Sequence, residues 1–169
     1  MKTTYEKFCD LEIDRNLISL EKAQNVYPYF CYPVNAKAIG IEGSILYCFI
    51  KPYGDMVFAC NPESCANAYV YPLAKTFEDF VALIMSCGST NPVEQIVWMS
   101  KEQFIQHLDE EIAIRTEQQN KVLQQIQDEL GIIPMSEPYD YVKGLQAGFD
   151  GSKIEFSDEY YDVLGIEKE

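Results

Sequence analysis

The 169 residues predict a single α+β domain spanning 1–169, with a curved, mainly antiparallel sheet flanked by helices. Three observations predict it. Three short apolar runs punctuated by Gly, Pro and Asp occupy residues 38–60 and read as a β-meander. Downstream, apolar residues recur at helical spacing after two N-cap signals, Thr76 and Ser100. The length suits one domain, and at that size folding buries roughly 70% of the unfolded chain's surface.

Residues 5–24 read weakly as helix, from the imperfect stripe Phe8, Leu11, Leu17, Ile18 and Leu20. Residues 26–34 are aromatic and contain two prolines, which suits an edge strand or an extended lead-in. The meander follows as 38–41, 44–50 and 56–60, with no helix expected inside 45–58 and with Gly43 and Gly54 at its turns. Asn61-Pro62-Glu63-Ser64 is a turn, and 69–71 is a short extended piece that Pro72 helps to end. Thr76 caps a helix whose apolar face is Phe77, Phe80, Val81, Leu83 and Ile84 and which stops at Gly88. Asn91-Pro92 reads as a loop.

Ser100 and Gln103 form a capping-box pattern. From there Phe104, Leu108 and Ile112, then Val122, Ile126 and Leu130, recur at spacing four around a polar stretch, Arg115 to Lys121. No Gly or Pro interrupts, so one long helix over 101–130 is expected. In the tail, 153–156 alternates like a half-buried strand, and Ser157 precedes a short helix carrying Tyr160, Tyr161, Val163 and Leu164.

The charge narrows the partner. The net charge is −14, and residues 101–169 hold 16 of the 27 acidic groups against 6 of the 13 basic ones. That balance argues against nucleic acid or an anionic membrane and favours a basic protein. The candidate partner-binding residues are Asp109, Glu110 and Glu111, with Asp158, Glu159 and Asp162. The competing explanation is a solvated helical surface. The six cysteines form no CxxC pair and there is one histidine, so no metal, no cofactor and no disulfide is expected. Met1 to Glu6 opens no signal-like apolar stretch, and no run is long enough to span a bilayer. A cytoplasmic protein is expected.

Chemistry is sparse. His107 is the only histidine, and Glu110 and Glu111 stand three and four residues on, the spacing of a surface pair. Adjacent carboxylates on one helix diverge rather than face each other across a cleft. Asp150-Gly151-Ser152 lacks the ligand ladder of a calcium loop, and no Gly-rich phosphate cradle is present. Tyrosines at 27, 29, 32, 69, 71, 160 and 161 suit packing or an interface. The expectation is a protein without enzymatic activity.

The block Gly54-Asp55-Met56-Val57-Phe58-Ala59-Cys60-Asn61-Pro62, followed by Val70-Tyr71-Pro72-Leu73-Ala74 and Thr76-Phe77-Glu78-Asp79-Phe80, has a recognisable pattern. It is similar to the "G-D-x-x-x-x-x-N-P … V-Y-x-L-A-x-S-F-x-x-F" block of the SUKH superfamily, the Smi/Knr-like proteins. The resemblance covers about residues 38–88. It implies a sheet flanked by helices and a bacterial immunity role, neutralising a toxin that is often a nuclease; other members are regulatory scaffolds. The matched positions are structural, so no functional residue carries over. An L-P-x-x-Y motif with an Asn-Gly turn is absent from the N-terminus, and the acidic stretch after Gly88 lies outside the block. The functional expectation is a toxin-binding immunity protein. The alternatives are a scaffold binding a host protein or peptide and, third, a small-ligand sensor or enzyme.

Overall fold

The computed structural model describes all 169 residues and builds the sheet where the apolar runs fall. Strands β1 (Ala36–Glu42), β2 (Ile45–Ile50), β3 (Val57–Cys60) and β4 (Val70–Ala74) form an open antiparallel meander in chain order. Seven helices surround it: α1 (Thr4–Cys9), α2 (Phe77–Cys87), α3 (Thr90–Gln95), α4 (Lys101–Ile114), α5 (Glu117–Leu130), α6 (Pro138–Ala147) and α7 (Asp158–Leu164).

The unbroken apolar run of β2 has a physical reason: both faces of the sheet are covered. Tyr47, Val57, Ala59, Tyr71 and Leu73 face the helices, where Phe77, Phe80, Ile84, Val122 and Ile126 complete the larger core. Leu46, Cys48, Ile50, Phe58, Cys60 and Val70 face the other way, under Tyr32, Phe149, Ile154 and Phe156. Irregular chain, not helix, lids that second face.

α2 is built as its sequence predicts. The Thr76 hydroxyl accepts the Asp79 amide at 3.1 Å, and Phe77, Phe80 and Ile84 are buried against the sheet. At Gly88 φ is 90°, and the Arg115 guanidinium lies against the backbone so closely that a Cβ would fall 2.5 Å from Nη2. The positive φ favours glycine there, and any Cβ would also push the Arg115 guanidinium aside.

Several expectations need correction. Residues 5–24 are not one helix. Thr3 caps the six-residue α1, Asp14 caps a 3-10 turn at Arg15–Ile18, and Glu21 exchanges two backbone hydrogen bonds of 2.9 Å with Ile41. Short polar side chains that bond their own backbone favour such breaks. Residues 26–34 form no edge strand: 26–29 are irregular chain leading into turns at 30–34, and the Tyr32 hydroxyl donates to the Ser44 carbonyl. A 3-10 turn, Lys51–Tyr53, occupies the break between β2 and β3, where Pro52 fixes φ; the strand pairing is untouched. Pro72 sits inside β4 rather than ending it, because β4 is an outer strand and has no second ladder to feed. Asn91 and Pro92 belong to α3, where Ser89 accepts the Asn91 amide and Pro92 lies in the first turn. Residues 153–156 form no strand; the Val34 amide donates to the Glu155 carbonyl at 2.8 Å, and the Asn35 side chain bonds the Lys153 carbonyl and the Glu155 amide, which ties them to the sheet's end.

The largest correction concerns 101–130, which is two helices. At Arg115 ψ is 129°, and the Thr116 hydroxyl accepts the Gln119 amide to start α5. Gln119 Nε2 donates to the Gly88 carbonyl at 2.8 Å, so the break is latched to the C-terminus of α2. Breaking there lets α5 bury Val122, Leu123 and Ile126 against the N-terminal segment while α4 packs on α3.

All six cysteines are free; Cys9 and Cys65 are exposed, while Cys31, Cys48, Cys60 and Cys87 are buried. Burial pushes the Cys31 and Cys87 thiols up to about 11, further from the reactive thiolate. Thiol titration is therefore expected to find two fast groups in the native protein and six after denaturation without reductant. Fast reaction of all six in the native state would contradict this packing.

Candidate functional site

α4 begins at a capping box: Ser100 Oγ accepts the Gln103 amide at 3.2 Å and Gln103 Oε1 accepts the Ser100 amide at 2.8 Å. Phe104 anchors it, buried with its ring 5.6 Å from that of Tyr139, and Lys101 pairs with Asp140 at 3.0 Å. With Phe104 inward, the helical period turns Glu102, Asp109 and Ala113 outward. Glu102, Ile105, Gln106, Asp109, Glu110 and Ala113 line one shallow concavity of about 540 Å³. Gln106 and Glu110 also border a smaller hollow beside Trp98.

The apolar part of this face is what sequence reasoning missed. Ile105 is 50% exposed and Ile112 is 49% exposed, although Ile112 continues the spacing of four from Phe104. The spacing of four that links Phe104, Leu108 and Ile112 drifts around the helix: Phe104 is buried, Leu108 half-buried, and Ile112 emerges. Glu111 is displaced the other way. It stands seven residues after Phe104, on the inward side, and is half-buried, so it does not share the face of Asp109 and Glu110. His107 forms no ion pair with Glu110 or Glu111; its Nε2 is buried without a hydrogen-bond partner.

Asp158, Glu159 and Asp162 are exposed on α7, held by Tyr160 stacking on Phe156 at 3.7 Å. Asp158 pairs with Lys168 at 3.1 Å, and that ammonium also lies over the Tyr161 ring. No hydrogen bond or ion pair joins α7 to α4. The six candidate acids thus fall on two elements, and exposed apolar side chains accompany both: Ile105 on α4, and Val163 with Ile166 at α7.

A second polar cluster gave no sequence signal beyond a Glu between apolar neighbours. Glu94, on α3, is 4% exposed; it accepts the Tyr71 hydroxyl and, at 3.0 Å, the Asn61 amide. These bonds pin α3 to β4 and to the end of β3. Burial raises the Tyr71 phenol well above its usual range, with the Glu94 charge adding to the effect, and burial alone dominates at Tyr47. A phenol whose folded pKa is raised contributes stability that is complete below about pH 10 and is lost as pH rises toward the folded value. For two such tyrosines the loss is on the order of 3 kcal/mol per pH unit once the pH is well above 10. Denaturation midpoints measured from pH 8 to 12 are expected to hold level and then fall; a level profile to pH 12 would contradict the burial of both phenols.

No group of three His, Cys, Asp or Glu side chains is placed to hold a metal ion, and no helix is long and apolar enough to cross a membrane. Isoleucine and tryptophan supply exposed apolar area at the α4 face, and its carboxylates give it a negative potential. No family model, curated protein or solved structure matches this chain.

Proposed function

We propose that this chain is a non-catalytic, cytoplasmic protein-binding domain that presents α4 to a basic partner, acting as a bacterial immunity protein toward a cognate toxin, of which a nuclease is the best fit. One observation supports the reading above the others: Ile105 stands half exposed in the same shallow concavity as Glu102, Asp109 and Glu110, with Ile112 half exposed beside Ile105 and Asp109 around the helix. A helix kept only for solvation gains nothing from exposed isoleucine. The resemblance over 38–88 supports the immunity role, and a regulatory scaffold would use the same face on a host protein.

The test uses the purified basic domain of a toxin encoded beside this chain. Changing Asp109→Lys and Glu110→Lys is expected to slow association about tenfold or more and to flatten its salt dependence. Changing Ile105→Asp and Ile112→Asp should instead speed dissociation. Thermal stability should stay within about 0.5 kcal/mol for the surface charges. Identical on-rates and salt slopes would remove the α4 charges from function. Binding to a host protein, with none to the toxin, would favour the scaffold.

A further inference from the structure

Lys37 and Ala38 are neighbours in β1, so their side chains point to opposite faces, yet both are exposed. That pattern belongs to a sheet edge open on both sides. β1 pairs with β2 alone. The Lys51 amide donates to the Asn35 carbonyl at 3.1 Å. Antiparallel alternation from that pair turns Lys37 toward Phe49 and the backbone groups of Ala36 and Ala38 outward; the Ala36 amide donates to the Pro33 carbonyl at 3.4 Å, which leaves the Ala36 carbonyl and both groups of Ala38 open.

Both ends of this edge are already taken. Ile41 also faces outward, and Glu21 pairs with it through two hydrogen bonds. At the other end Val34 donates to Glu155. Between them lies a gap one short strand long. A hollow flanks the gap on each face of the sheet. On the side of Ala36 and Ala38 it measures about 410 Å³, walled by Tyr29, Tyr32, Val34 and Leu46, with Glu159 of α7 also in its lining. On the side of Lys37 it measures about 720 Å³, walled by Tyr5, Phe49 and Phe77 with Lys37 and Lys51.

We propose that an extended peptide segment adds to the β1 edge at Ala36–Ala38 as a further strand. Its apolar side chains enter the Tyr29–Tyr32 hollow, and its alternate, acidic side chains reach Lys37 and Lys51. Strand addition takes its affinity from main-chain hydrogen bonds and its specificity from pockets for alternating side chains, and two pockets stand here at that alternation. The charge preference follows from the lysines. Neither is in an ion pair, and the Lys37 ammonium lies 5.5 Å from the centre of the Tyr5 ring, beside the edge itself. Glu6, Asp55 and Glu78 also border that hollow and oppose the preference, so the sign of the charge is part of the test. This site is separate from the α4 face.

The probe is a fluorescent seven-residue peptide alternating valine and glutamate, titrated into the full chain by anisotropy. Saturable binding is expected, with exchange of the Ala38 amide slowed at least tenfold in the complex. Methylating the alternate peptide nitrogens that face β1 should weaken binding at least tenfold, and Lys37→Glu, at an exposed position, should do the same. The Asp109→Lys, Glu110→Lys protein should bind the peptide unchanged. No binding at millimolar peptide, or equal binding of the methylated peptide, would overturn strand addition. Equal or tighter binding of a valine–lysine peptide would overturn the acidic class.

Discussion

Phe80→Ala is expected to destabilise the protein by about 3–5 kcal/mol, among the largest losses a single truncation here can produce. Phe80 is fully buried, with ring centroids 5.8 Å from Tyr47 and 6.2 Å from Phe77. It joins α2 to the centre of the sheet, so the lost methylene and ring contacts leave a cavity that helix and strand cannot both close. Domains of this size carry only about 5–15 kcal/mol in total, so the midpoint of chemical denaturation should shift visibly with an unchanged slope. A loss below about 1 kcal/mol would place Phe80 at the periphery and sink the description of the core.

Glu94→Ala should cost about 2–5 kcal/mol by a different mechanism. The Tyr71 hydroxyl and the Asn61 amide both donate to this one carboxylate, and each buried donor left without an acceptor costs about 1–3 kcal/mol. Glu94→Gln keeps an acceptor oxygen in place and should lose about 1 kcal/mol, the difference between a charged and a neutral acceptor. The pair of variants separates acceptor from charge. Equal losses for alanine and glutamine would mean that the hydrogen bonds do not hold α3.

Legibility followed how local each cause was. The meander announced itself because Gly43 and Gly54 both take positive φ where the turns require it, and α2 because Thr76 and Gly88 cap it at both ends. The α4–α5 break was written in the chain as Thr116-x-x-Gln119, a capping pattern hidden inside a run with no Gly or Pro. α6 was missed because Pro138 and Gly144 read as breakers, although Pro138 sits in the first turn, where it is tolerated. The pairing of Glu21 with Ile41 had no local signal at all. In the candidate site, Asp109 and Glu110 were legible as exposed acid, but the inward turn of Glu111 and the emergence of Ile105 and Ile112 depend on which side of α4 meets α3. That is a tertiary fact, and no periodicity within α4 states it.

The packing of α5 on the N-terminal segment has a consequence for how the chain emerges from a ribosome. The 3-10 turn at Arg15–Ile18 rests on α5, and Gln125 reaches the Glu12 carbonyl at 3.4 Å across 113 residues of sequence. At about 5–20 residues per second, the first segment waits roughly 5–20 s after it is made before its cover exists. During that interval Ile18 lacks the cover that α5 supplies, while the strands and α2 can already close on each other. The nascent chain therefore assembles from its middle outward, and its two ends are sewn together last.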